Sequence, residues 1–160
     1  MVFNACMKHK LVRRSVREFA EAELGPIAHE IDREARFPKE VVEKMRALNF
    51  FGLQVPRKHG GAEADRISSA ITIEETSRVS GALGLCVTVH NSVGVYPILK
   101  FGTREQIERF VPGLATGVHI GAFCITEANA GSDAGGVETS AVSDGDSYVI
   151  NGTKIFVTNG

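Results

Sequence analysis

Apolar residues recur every three to four positions early in the chain: Val12, Val16, Phe19, Ala20, Leu24, Ile27, Ala28 and Ile31. That spacing predicts a helix with one buried face. Gly25-Pro26 interrupts it. Proline lacks a backbone donor and crowds the preceding turn, so a kink or short break is expected there. A second helix should open with Pro38 at its first position, bury Val41, Val42, Met45 and Leu48, and end before residues 52–56. His59-Gly60-Gly61 reads as a turn. Asp65 reads as the N-cap of a third helix carrying Ile67, Ala70, Ile71 and Ile73. Residues 83–99 are apolar on nearly every side (Leu85, Val87, Val89, Val93, Val95, Ile98), which predicts a central helix surrounded by others. A buried strand is the competing reading, because β-branched residues are dense there, but the length favours a helix. Gly102 closes it. Thr103 and Gln106 have capping-box spacing, and Ile107, Phe110, Val111 and Leu114 supply the buried face of the helix that follows.

Beyond Gly117 the period drops to two. Residues 119–126 read as a buried strand and residues 127–136 as a loop. Val137, Thr139 and Ala141 alternate, Asp144-Gly145 turns, Tyr148 and Ile150 alternate again, and Asn151-Gly152 turns before a strand at 154–158. The expectation is an α+β chain: an all-α helical domain over residues 1–117, then the first strands of an antiparallel β-barrel or sheet domain over 118–160. The last expected strand has no partner on its far side, so the sheet reads as incomplete and the chain as a fragment.

At 160 residues there is room for one domain with a real core, or for a domain and part of a second. The net charge of −1, with acids and bases mixed, argues against a nucleic-acid protein, which needs a basic stripe to meet phosphates. No run approaches the ~18 apolar residues of a membrane span. Cys6, Cys86 and Cys124 are odd in number, far apart and without metal-ligand spacing; Cys86 and Cys124 sit in apolar runs and read as small buried side chains in a reducing compartment. Lys8, Lys10, Arg13, Arg14 and Arg17 precede any acid, as in a targeting peptide. There is no apolar core to such a peptide, however, and Leu11, Val16, Phe19 and Ala20 already keep helical spacing, so this stretch reads as the frayed start of the first helix.

Two segments carry candidate chemistry. In residues 123–133 a strand feeds a loop of small residues that can bring backbone N–H groups close to a ligand, and Thr126 and Ser132 add hydroxyls. Such a bend suits a phosphate or the polar edge of a flat ring; a flexible surface turn is the plainer alternative. In residues 151–160, Phe156 and Thr158 lie two apart, on one face of a strand. Phe156 could shield a planar cofactor while Thr158 bonds its edge, or both could be ordinary sheet residues.

Together these segments, TEANAGSDAGGVET and DGDSYVINGTKIFVTNG, resemble the flavin-binding middle domain of the acyl-CoA dehydrogenases. Upstream, VREFAEAELGPIAHEIDREARFP, FFGLQVPRKHGG, ITIEETSRVSGALG, VHNSVGVYPILKFGT and FVPGLATG resemble that family's helical domain, in the family's order. The resemblance implies FAD in a groove between the β domain and helical domains on either side, one of them C-terminal to this chain. Phe123, Cys124, Ile125 and Thr126 would line the flavin, with Thr126 at its pyrimidine side. Gly131 and Ser132 would meet the pyrophosphate, and Ser132 also the acyl-CoA. Phe156, Val157 and Thr158 would lie against the isoalloxazine, with Thr158 by N5. Ala128 stands where the family commonly has proline, and Phe156 replaces a frequent tryptophan. In the family's reaction a glutamate takes the α-proton while the β-hydrogen leaves as hydride, giving a trans-2-enoyl-CoA. That glutamate is expected beyond Gly160, so no catalytic residue is assigned here; Glu127 and Glu138 do not match it and read as solvated charges. Implied partners are the acyl-CoA substrate and an electron-transfer flavoprotein. The resemblance also implies a homotetramer at full length and a bacterial cytoplasm or mitochondrial matrix as location. Two alternatives stand beside this reading: a non-enzymatic helical interaction module on the same fold, and an oxidase or nitroalkane-oxidising relative.

Overall fold

In the computed structural model, which describes residues 6–160, the first apolar stripe forms α1 (Met7–Phe19), a π-helical turn (Ala20–Leu24) and, after a break at residues 25–27, α2 (Ala28–Arg33). The break at Gly25-Pro26 is as expected, but a π turn leads into it: Gly25 N–H donates to Ala20 O at 2.9 Å, one residue further back than in an α-helix. Widening the turn relieves the Ala22 carbonyl, which the ring of Pro26 would crowd in regular α geometry. The basic residues of 8–17 lie on α1, where Lys8, Arg13, Arg14 and Arg17 form ion pairs; residues 1–5 lie outside the described residues.

The second helix, α3 (Lys39–Ala47), starts one residue later than expected. Pro38 is its N-cap, and the Pro38 carbonyl accepts from Val41 and Val42 at 3.1 Å each. Val41, Val42 and Met45 are buried, whereas Leu48 is exposed, because the helix stops at Ala47 and the chain turns away through Asn49 in the left-handed region. Those three join Val16, Ala20, Leu24, Phe50 and Phe51 in the main core.

The next helix, α4 (Arg66–Val79), is N-capped by Asp65, whose carboxylate accepts from Ser68 N–H at 2.7 Å. Its buried face is not the expected one. Ile71 is buried, but Ile67 and Ala70 face outward, and Ser68, Ser69, Thr72, Glu75 and Thr76 face in. The hydroxyls of Ser69, Thr72 and Thr76 bond the carbonyls one turn back at 2.7–3.1 Å. Apart from Ser68, whose buried hydroxyl has no hydrogen-bond partner among the described residues, these small polar residues are satisfied within their own helix and let α4 pack closely on α1 and α5.

The apolar run is helical throughout: α5 (Gly81–Val89), a π segment (His90–Val95) and α6 (Tyr96–Phe101). Here too the π segment precedes a proline, Pro97. The run is not surrounded, since Leu85, Tyr96 and Phe101 are exposed. It also corrects the reading of hydropathy: Gly81–Phe101, 21 residues, is long and apolar enough by length and composition to cross a membrane. In this structure it instead packs one side against α4 and the core, burying Leu83, Cys86, Val87, His90 and Val95. α7 (Arg104–Ala115) has the expected capping box, with Gln106 N–H on Thr103 Oγ1 and Thr103 N–H on Gln106 Oε1. Val111 is buried and Ile107 and Leu114 half-buried, while Phe110 is exposed because nothing described covers that side of α7.

The β part is smaller than expected. β1 (Ser140–Asp144) and β2 (Ser147–Asn151) form one antiparallel hairpin, and every residue in it is exposed. Gly145, with φ of 60°, opens the connecting turn. Residues 119–126 and 152–158 are extended or turned and join no ladder, so the meander reduces to a hairpin with two unladdered flanks. A strand needs a neighbour for its N–H and C=O groups, and between the two flanks the described residues supply one backbone bond, from Ile155 N–H to Thr126 O, too little for a ladder. Cys124, expected to be buried, is exposed on the first flank; Cys86 is buried, and burial pushes its thiol up to about 11. The architecture is α+β, with helices followed by the beginning of an antiparallel sheet.

Candidate functional site

His90 organises the junction between helices and flanks. Fully buried in the π segment, its Nε2 lies 2.9 Å from Phe51 O and 3.1 Å from Leu114 O. Two carbonyls at one nitrogen require that nitrogen to carry the proton. The other, Nδ1, therefore accepts from Gly121 N–H at 2.8 Å. Burial holds the ring below the ordinary histidine pKa. Gly94, one turn along, meets Gly121 backbone to backbone: a Cβ added to either would come within 3.1–3.2 Å of the other's Cα. Two glycines thus let the first flank lie directly on the helix.

The second flank returns beside the first. Asn159 Nδ2 donates to Gly121 O at 3.2 Å and to Cys86 O at 3.1 Å. Ile155 N–H donates to Thr126 O at 2.9 Å, and Lys154 Nζ to Ile125 O at 3.1 Å. Residues 121–126 and 154–159 therefore run side by side in opposite directions. This brings Phe123, Cys124, Ile125 and Thr126 into one neighbourhood with Phe156, Val157 and Thr158. Gly131 and Ser132 lie apart, on an exposed loop closed by Asp133, whose carboxylate accepts from Gly135 N–H at 3.2 Å.

The paired flanks leave apolar surface open: Phe123 and Ile125 are exposed, and Phe156 is 88% exposed. Phe156 also has a φ of 54°, a region a bulky L-residue enters at a cost of about 1–2 kcal/mol. The half-buried hydroxyls of Thr126 and Thr158 make no hydrogen bond among the described residues. An open aromatic, apolar neighbours and unspent hydroxyls fit a planar ring with a polar rim.

Glu127 corrects the reading of a solvated loop charge. It is buried, and its carboxylate accepts from Glu138 N–H at 2.7 Å, Thr139 N–H at 3.0 Å, Thr139 Oγ1 at 2.5 Å and Lys154 Nζ at 2.6 Å. Lys154 above all, then the Thr139 hydroxyl and backbone N–H groups, hold its carboxyl down to about 2. Only the lysine-glutamate pairing across 27 residues could have betrayed it, and sequence spacing does not show such a pair.

Leu85, Val89, Val93 and Tyr96 recur along one side of the long helix and stay exposed or half-buried. Tyr96 also borders a groove of about 580 Å³ lined by Leu53, Val55, Ile73, Val95 and Leu99.

The family model for the acyl-CoA dehydrogenase N-terminal domain matches residues 7–118, and that for the acyl-CoA dehydrogenase middle domain matches residues 122–160. The short-chain specific acyl-CoA dehydrogenase of Clostridium acetobutylicum is 47% identical over 160 residues, covering 100% of this chain and 42% of the relative. A subunit of the caffeyl-CoA reductase-Etf complex of Acetobacterium woodii is 42% identical, over 94% of this chain and 40% of the relative. Among solved structures, an acyl-CoA dehydrogenase from Bacillus anthracis complexed with FAD superposes with a TM-score of 0.86 at 32% identity, covering 98% of this chain and 27% of that one. The chain spans about two-fifths of the length of the curated relatives it matches, their N-terminal part. Through both of its matched regions, it belongs to the acyl-CoA dehydrogenase family.

Proposed function

We propose that this chain forms the helical domain and one wall of the flavin site of an FAD-dependent acyl-CoA dehydrogenase that converts acyl-CoA to trans-2-enoyl-CoA. The observation that carries this reading is the pairing of residues 121–126 with 154–159, with apolar side chains and two free hydroxyls left open. Phe156, Phe123 and Ile125 cover part of a ring and exclude water from it. Thr126 and Thr158 bond the rim, Thr126 on the pyrimidine side and Thr158 by N5. Gly131 and Ser132 offer the pyrophosphate a loop with open backbone, and Ser132 also contacts acyl-CoA. When bound, FAD supplies a two-electron acceptor for the substrate's β-hydrogen. Proton abstraction is assigned to no residue of this chain. The stripe Leu85, Val89, Val93 and Tyr96 contributes to the floor of the acyl pocket.

Electrons pass on to an electron-transfer flavoprotein, a reading supported by the likeness to the Acetobacterium subunit. The complete protein is a homotetramer; the exposed Phe101, Phe110, Tyr148 and Ile150 are consistent with covered surfaces in it. Three unpaired thiols suit a bacterial cytoplasm or mitochondrial matrix. The test joins this chain to the remaining residues of the Clostridium relative. The product should purify yellow and bleach on anaerobic addition of a short-chain acyl-CoA; a folded, colourless product that takes up no FAD contradicts the proposal.

A further inference from the structure

Among the described residues no β-ladder joins the two flanks. Near the proposed ring site their connection is the Ile155–Thr126 backbone bond and the cluster around Glu127. One backbone bond sets register weakly, and a slip of one residue would turn every following side chain to the opposite face. The cluster resists that slip. Glu127 is 8% exposed and is anchored through its carboxylate to the N–H groups of Glu138 and Thr139, where the chain enters β1. Lys154, where the chain has left β2, reaches that carboxylate and the carbonyl of Ile125 with one ammonium group. Thr126 thus stands between two residues held by the same lysine.

We propose that Glu127 and Lys154 are positioning residues: their ion pair, made on a buried carboxylate, fixes residues 125–127 against residues 153–155 and so sets where Thr126 and residues 156–158 meet the flavin. This rests on the flavin reading above. An exposed pair would contribute little, but here the carboxylate has four donors and the half-buried ammonium two acceptors, and removing the lysine leaves a buried carboxylate without its one cationic partner.

The test compares Lys154→Met, which keeps length and loses the charge, with Lys154→Arg, which keeps the charge. Amide hydrogen exchange is read at Ile155 and Thr139, and FAD affinity by fluorescence titration. In Lys154→Met, exchange at both amides should quicken about tenfold and the FAD dissociation constant rise about tenfold, while amides of α1 and α4 keep wild-type protection. Lys154→Arg should recover most of both effects, which a mere loss of local stability from a larger side chain would not allow. Unchanged exchange in Lys154→Met overturns the clamp. Faster exchange with unchanged FAD affinity overturns its positioning role. A wild-type chain that takes no FAD at any concentration counts against the flavin reading instead, and the exchange result then decides the clamp alone.

Discussion

At Glu75 a single carboxylate, 1% exposed, meets Arg13 and Arg17 from α1 and Arg78 from its own helix. Arg17 first, then Arg13 and Arg78, hold its carboxyl down to about 2. The unfolded chain protonates near the ordinary glutamate value of about 4.3, so the stabilisation is complete above that pH and is lost as pH falls toward 2. Glu75→Ala should cost about 2 kcal/mol at pH 7 in urea titrations, less than the typical buried-pair loss because the arginines stay half hydrated, and the deficit should shrink at pH 3. His90 carries the same sign at higher pH. Its native pKa lies below the ordinary 6.5, so the unfolded state takes the proton first, and stability is full above about pH 6.5 and declines as pH falls from there to the native value. Protonation would also place a hydrogen on Nδ1 facing Gly121 N–H. The protection of the Gly121 amide, its exchange rate relative to the intrinsic rate at each pH, should therefore fall on mild acidification, and that step should vanish in His90→Ala. Neither role was legible in the sequence, because each depends on partners brought in from 24 to 62 residues away.

The elements were legible where local chemistry decides them: the Gly25-Pro26 break, the Asp65 cap, the Thr103–Gln106 box and the Gly145 turn all stand as read. They were misread where packing decides. The inward face of α4 is polar because hydroxyls bonded within the helix behave as small neutral side chains, so a search for Ile and Ala finds the wrong side. Residues 119–126 and 154–158 have strand patterning, but a strand exists only with a partner, and one backbone bond between the flanks is too little for a ladder. The residue pattern alone shows the candidate site as two separate segments; the family resemblance is what brings them together at one ring. The Gly94–Gly121 contact is what seats the first flank on the helix. Gly121→Val should lift it, with overpacking costing about 1–3 kcal/mol locally, seen as lost amide protection at Gly121 and Ile155 while the melting of the helices is unchanged.

For the whole molecule, stability resides in the helices. Phe51 is fully buried, packs edge-on against the His90 ring at 5.2 Å between centroids, and lies in the main core with Met45 and Leu24. Phe51→Ala should therefore cost about 3–5 kcal/mol in a denaturant titration and loosen the flanks with it. The hairpin and flanks bury almost nothing of their own, so the wall they form is held in place rather than self-supporting. On that account the isolated chain binds FAD weakly, at about 0.1 mM or worse, because it offers one side of the site. Backbone amide shifts recorded while FAD is titrated into the chain test this most directly. Shifts concentrated at residues 123–126 and 156–158, saturating only at high FAD, are the predicted result; shifts confined to other surfaces, or tight stoichiometric binding, would contradict it.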